Sequence, residues 1–284
     1  MVYSFAPMRY VTFSHQGSPR AGVLVGDGIA GLDYPDVGAL LRAGEAGLEE
    51  ARDAAGRGAD LALADALVLR PVLAPGAVVC VGHNYRNHIL EMGRDLPSAP
   101  TLFSKVPIAL TDPYADVPLP VASQSVDYEG ELAVVVGRGG RDIPSDEAWE
   151  AVAGVTVLND VSMRDFQRRT IQWFAGKAWE ASTPVGPYVV TMDEISDFGS
   201  LELKVEVNGE ERQRAALGDL VFDVPTLVSD ISRIFTLRPG DIIATGTPGG
   251  VGVAREPATF LRDGDVVEVT ITEIGKLRNR FVAA

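Results

Sequence analysis

The sequence predicts an α+β fold that is mostly β, a strand-rich core with short helices at its edge. Three observations predict it. Short apolar runs rich in Val, Ile and Thr recur along the whole chain, broken by Gly, Pro, Asn and Asp. The stretch LELKVEVNGEER alternates apolar and charged residues up to Asn208-Gly209, a strong hairpin-turn pair. The helical patterns are few and short, which excludes a doubly wound parallel sheet with a helix after every strand.

The elements follow in order. MRYVTF and AGVLVGDGIAGL, between residues 8 and 33, are short β-prone runs separated by glycine turns and form a small β unit. Residues 36 to 67 are rich in Ala and Leu with mixed charge, the composition of one or two surface helices. RPVLAPGAVVCVG punctuates the chain with two prolines and a glycine, so a boundary is expected near residue 70. It divides a small N-terminal α/β region, 1–70, from a larger domain, 71–284. AVVCVG (77–82) reads as a buried strand and NYRNHILEMG (84–93) as a short helix closed by Gly93. Residues 111 to 126 hold Pro, Asp and Ser without periodicity, as a long loop does. GVTVLND (154–160) is a strand, and Asp223 caps a helix with Leu227, Val228, Ile231, Ile234 and Phe235 at helical spacing. DIIATG (241–246) and DVVEVTIT (265–272) complete the strands.

The 284 residues are 46% hydrophobic and 23% charged, an ordinary globular composition. The formal net charge of −14 argues against nucleic acid or an anionic membrane surface as partner. It would draw a divalent cation, whereas an anionic substrate would need a local positive pocket. The single cysteine, Cys80, forbids an internal disulfide and a cysteine-cluster metal site. The start, MVYSFAPMRYVTF, has no long apolar region, and no run approaches the ~20 residues of a membrane span, so a cytoplasmic location is expected.

DYEGELAVVV (127–136) carries the most chemistry. If this run is a strand, Glu129 and Glu131 point the same way and stand side by side. Two carboxylates that close cost free energy unless a cation or a shared proton offsets it. Asp160, at the end of GVTVLND, could complete a triad suited to octahedral Mg2+ or Mn2+. Spacing alone leaves a second reading open, three unrelated acids among 39. His88 and Glu91 share a helical face, as a general base and its orienting carboxylate do, and as ordinary surface pairs also do. Arg164 and Gln167 share another face, and Lys177 follows in WFAGKAWEASTP, flanked by Trp173 and Trp179. Together they could stabilise oxyanion charge or be solvated surface groups. GTPGGVG (246–252) lacks the lysine of a phosphate loop and is either a tight turn or a carboxylate cradle built from backbone N–H groups and the Thr247 hydroxyl.

In this order the motifs resemble the fumarylacetoacetate hydrolase family. The matching segments are VGHNYRNHILEMG (81–93), PTLFSK (100–105), DYEGELAVVVG (127–137), LNDVSMRDFQ (158–167), GKAWEASTPVGP (176–187) and GTPGGVG (246–252). The resemblance covers about three quarters of the chain, from residue 70 onward. It implies a mixed β-sandwich or β-roll, a homodimer, and a divalent metal, Mg2+ or Mn2+, on Glu129, Glu131 and Asp160. It implies that His88 with Glu91 activates water, that Lys177 and Gln167 stabilise an oxyanion, and that Arg164, Tyr85, Lys105 and Thr247 contact substrate. NYRNH offers no counterpart of the extra metal-binding aspartate found in larger eukaryotic members. The implied reaction is hydrolysis of a carbon–carbon bond in an acylpyruvate-like 2,4-dioxo acid, as in aromatic catabolism. Decarboxylation of oxaloacetate, or isomerisation of an unsaturated hydroxy-diacid, would use the same enolate-stabilising centre. A non-catalytic, metal-stabilised domain that binds a small acid is the further alternative.

Overall fold

In the computed structural model, residues 7–91, 93 and 95–283 are described, apart from the side chains of His88 and Glu91. Two mixed sheets form the body. The larger runs, in spatial order, through Leu61–Ala62, Gly28–Gly31, Ser18–Val25, Arg9–His15, Thr183–Val190, Val152–Asn159, Gly130–Val136, Ile242–Ala244, Val78–Gly82 and Thr101–Lys105. The smaller runs through Glu210–Ala216, Glu202–Val207, Val266–Ile271, Gly275–Ala283 and Val117–Leu119.

The strand Gly130–Val136 lies at the centre and is buried at every residue. Its period of two divides it between two cores. Leu132, Val134 and Val136 pack between the sheets with Leu203, Val205, Val267 and Val269. Ala133 and Val135 face the other way and share a core with Leu40, Leu41, Leu48 and Ala51 from the helices Val37–Arg42 and Glu45–Arg57. A strand covered on both faces reads as continuous apolar sequence, which explains ELAVVV. Where Gly130 faces the smaller sheet there is room only for glycine: a Cβ there would stand 2.3 Å from Val205 Cγ2.

Most expected elements are present. Asn208 and Gly209 both have positive φ, 53° and 79°, and join Glu202–Val207 to Glu210–Ala216 as a primed turn. Asp223 caps Val224–Ile234 by accepting from Thr226 N at 2.9 Å. Ile234, counted with the apolar face of that helix, is instead 60% exposed. The helix expected over 84–93 spans Arg86–Glu91, and Gly93, at φ 65°, donates its N–H to Leu90 O. The expected loop at 111–126 contains the strand Val117–Leu119, paired in parallel with Gly275–Ala283. Its Pro118 is tolerable because this strand lies at the edge of its sheet. Among the described residues, no helix is long and apolar enough to cross a membrane.

Candidate active site

The site is built where two central strands end. Gly130 pairs with Asn159 in antiparallel register, which sets Glu129 opposite Asp160 just beyond the ladder. Asp160 N donates to Glu129 O at 2.8 Å, and Glu129 N to the Asn159 side-chain oxygen at 3.0 Å. The strand begins at Gly130, so Glu129 stands one residue before it. Glu129 and Glu131 still converge with Asp160, and one carboxylate oxygen from each lies within 4.8 Å of the others. Ile242–Ala244 runs beside Gly130–Val136 and delivers the glycine turn, whose Gly246 N donates to Glu131 Oε2 at 2.8 Å. Gly246 has φ 101° and passes close to Asn84, a path that favours glycine.

Buried cations surround the carboxylates. Lys177 Nζ lies 2.6 Å from both Glu129 Oε2 and Asp160 Oδ2. Lys105 Nζ lies 2.6 Å from Asp160 Oδ1 and also donates to Val161 O. Arg164 spans Asp127 at 2.8 Å and Glu129 at 2.6 Å, and its Nη1 donates to Gln167 Oε1 at 3.0 Å. Burial alone would raise the Asp160 carboxyl, but Lys105 and Lys177 draw it down to about 2. For Lys177 burial disfavours the ammonium, yet Asp160 and Glu129 hold its pKa above the usual lysine value. Glu131 goes the other way. Burial first, then the negative charges of Asp160 and Glu129, push its carboxyl well above the ordinary range.

A cavity of about 500 Å³ opens over this cluster. Glu129, Glu131, Arg164, Gln167, Lys177 and Thr247 line it, and Val81, Phe103, Trp173 and Val251 supply apolar wall. The Trp173 ring stands edge-on to Phe103 and His83 and fills the space over Gly82, where a Cβ would come within 2.5 Å of it. Trp179, the other tryptophan beside Lys177, packs edge-on against Phe166 and donates to Ala175 O.

Lys105 and Tyr85, expected to contact substrate, do not line this cavity. Lys105 is fully buried behind Asp160, and Tyr85 is fully buried with its hydroxyl unpartnered. The Thr247 hydroxyl donates to Gly130 O and accepts from Gln213, so it braces the central strand as well as facing the cavity. His88 and Glu91 sit on Arg86–Glu91, but their side chains lie outside the described residues. Asp127 was missed, although it continues the every-second-residue acids of DYEGE. Its carboxylate takes N–H bonds from Gly252 and Val253 at 2.7 and 3.0 Å as well as Arg164, tying the glycine turn to the site. Phe103 and Arg168, also on the wall, carry no local sequence signal.

The donor set fits a hard divalent cation. Three oxygen ligands converge, and nitrogen and sulfur are absent from the group. Among the described residues, four buried carboxylates (Asp127, Glu129, Glu131 and Asp160) face three buried cations (Lys105, Arg164 and Lys177), leaving one negative charge in excess. The charges of Asp160 and Glu129 add to the burial that raises the Glu131 carboxyl. A divalent ion would reverse the excess charge.

Known proteins share this arrangement of segments. The family model described as fumarylacetoacetate (FAA) hydrolase C-terminal matches residues 77–282. The mitochondrial oxaloacetate tautomerase FAHD2A of Bos taurus is 40% identical over 288 residues, covering 97% of this chain and 92% of its own. Among solved structures, 5-carboxymethyl-2-hydroxymuconate delta-isomerase from Mycobacterium smegmatis is 33% identical with a TM-score of 0.79, covering 98% of this chain and 100% of its own. Maleylpyruvate hydrolase from Sphingobium sp. SYK-6, in complex with manganese(II) ion and pyruvate, is 30% identical with a TM-score of 0.81 over 98% of this chain and 100% of its own.

Proposed function

The chain belongs to the fumarylacetoacetate hydrolase family, whose members are enzymes, and we propose that its own reaction is the metal-dependent keto–enol tautomerisation of oxaloacetate. The observation that carries this reading is the buried Lys177 ammonium, 2.6 Å from two of the three converging carboxylates on a cavity floor. Such a centre stabilises the oxyanion of an enolate, the species common to tautomerisation, isomerisation and carbon–carbon hydrolysis.

Mg2+ or Mn2+ on Glu129, Glu131 and Asp160 would supply the Lewis acidity that anchors the carboxylate and 2-oxo oxygens of the substrate. The residues around it then divide the work. Arg164 has a buried Nη2 without a protein partner and can donate to the substrate carboxylate. Gln167 accepts from Arg164 through its oxygen, which leaves its amide N–H groups for a substrate oxygen. Lys177 keeps its proton and places a full positive charge beside the developing negative oxygen. Enolisation removes one proton from C3 and returns one to the C2 oxygen. We assign the C3 proton to His88, oriented by Glu91. Phe103, Trp173 and Val251 keep bulk water from the enolate.

In the hydrolysis that the motifs imply, His88 and Glu91 activate water. The same pair serves proton transfer at C3 equally well, so it does not separate the two reactions. The relative that is 40% identical over nearly the full length supports placing tautomerisation first. Hydrolysis of an acylpyruvate stands second, supported by the maleylpyruvate hydrolase neighbour. The test follows the ultraviolet decay of enol-oxaloacetate with Mg2+ or Mn2+. Acceleration beyond the metal-only rate, abolished by chelation, is expected. No acceleration, together with release of acetate and pyruvate from acetylpyruvate, would replace tautomerase with hydrolase.

A further inference from the structure

We propose that Arg168 selects substrates that carry a second, distal carboxylate, so that the site prefers 2-oxo diacids to 2-oxo monoacids; this rests on the reading of the carboxylate cluster as an oxo-acid centre. Among the described residues, three arginine and lysine side chains line the cavity: Arg164, Arg168 and Lys177. Two already pair with the cluster. Arg164 is held by Asp127 and Glu129, leaving only its Nη2 for the carboxylate next to the 2-oxo group, and Lys177 is held by Glu129 and Asp160. Among the described residues Arg168 has no carboxylate partner, and it is exposed at the cavity wall.

Its placement follows from the local chain. Arg168 closes the short helix Arg164–Gln167, its N–H donating to Arg164 O. The next residue turns elsewhere, because the Arg169 guanidinium lies 3.4 Å from the centre of the Phe166 ring. Of two adjacent arginines, one is committed to an aromatic face and the other to the cavity. Val251, Val253 and Ala254, which also line the cavity, carry no charge.

Charge balance completes the case. A divalent ion would turn the cluster's single excess negative charge into a single positive one, which the proximal carboxylate of an oxo acid would neutralise. A second carboxylate then needs a cation of its own, in a molecule whose net charge is −14. Arg168 supplies it, with a planar fork that matches a carboxylate. At the exposed wall the same charge would steer dianions inward.

The experiment compares binding of pyruvate and oxaloacetate, which differ by one carboxylate, to the Mg2+-loaded full chain by titration calorimetry. The wild type is expected to bind oxaloacetate about tenfold more tightly. Arg168→Gln should leave pyruvate binding unchanged and bring oxaloacetate down to it, while Arg168→Lys keeps part of the preference. A wild type without preference, or an Arg168→Gln variant that retains it or weakens both ligands equally, would overturn the assignment. Enol-oxaloacetate decay measured alongside separates the two proposals. A preference that depends on Arg168, without acceleration of tautomerisation, removes the tautomerase reading and leaves the diacid site standing.

Discussion

Glu131 concentrates the electrostatics of the site in one side chain. It sits inside the central strand, fully buried, next to two other acids, with Gly246 N–H as a hydrogen-bond donor. Its carboxyl is pushed up first by burial and then by the negative charges of Asp160 and Glu129, and a cation bound there would offset both. We therefore expect Mg2+ or Mn2+ to raise the unfolding temperature of the wild type, by an amount near that of about 2.7 kcal/mol at a hundredfold excess over Kd. Chelator should reverse it. In Glu131→Gln the metal-induced shift should vanish and turnover of any oxo acid fall at least about a hundredfold. A full shift in that variant would remove Glu131 from the metal site. The converging acids were legible in sequence because their spacing is local: two acids two apart, and a third ending a strand. The motif identifies Lys105 but not its depth, since nothing in PTLFSK says whether its ammonium faces the cavity or, as found, Asp160 from within the core.

At the scale of elements, the site depends on how closely the two sheets pack behind it. Gly130 lies between Glu129 and Glu131, and the atoms facing it belong to Val205, Val269 and Leu203 of the smaller sheet. Gly130→Ala inserts a methyl group where Val205 stands 2.3 Å away. Overpacking of this kind costs about 1–3 kcal/mol. The variant should unfold at lower denaturant, and metal binding should weaken because the flanking carboxylates shift with the strand. An unchanged denaturation midpoint would mean that the sheets can part there without cost. The hairpin at Asn208-Gly209 and the cap at Asp223 were readable because turn and cap chemistry is contained in a few adjacent residues. The order of strands in the larger sheet was not. It joins segments such as Arg9–His15 and Thr183–Val190, whose pairing depends on which apolar faces bury each other.

Across the whole molecule, the first strand ties the N-terminal helices to the rest of the chain. Tyr10 is buried in Arg9–His15, near Arg52 and Glu45 of the helix Glu45–Arg57, and burial pushes its hydroxyl up to about 12. An unfolded tyrosine ionises near pH 10, so the folded state favours the neutral form. That contribution is complete below pH 10 and is lost as pH rises through about 12, on the order of 3 kcal/mol. Urea midpoints measured from pH 9 to 12 should fall less steeply in Tyr10→Phe than in wild type. Parallel curves would show that Tyr10 is not the titrating group. The sequence marked residues 1–70 as a strand-and-helix unit, but its insertion at the end of the larger sheet rests on contacts far apart in the chain.

The hydrogen bond from Asp160 N to Glu129 O ties these two acids together through main-chain atoms, in addition to the Lys177 bridge. Exchanges around the rim can then accumulate without disturbing that anchor. A lineage built this way can retune which molecule it accepts, and what becomes of it, through a handful of peripheral replacements while its inherited floor stays intact.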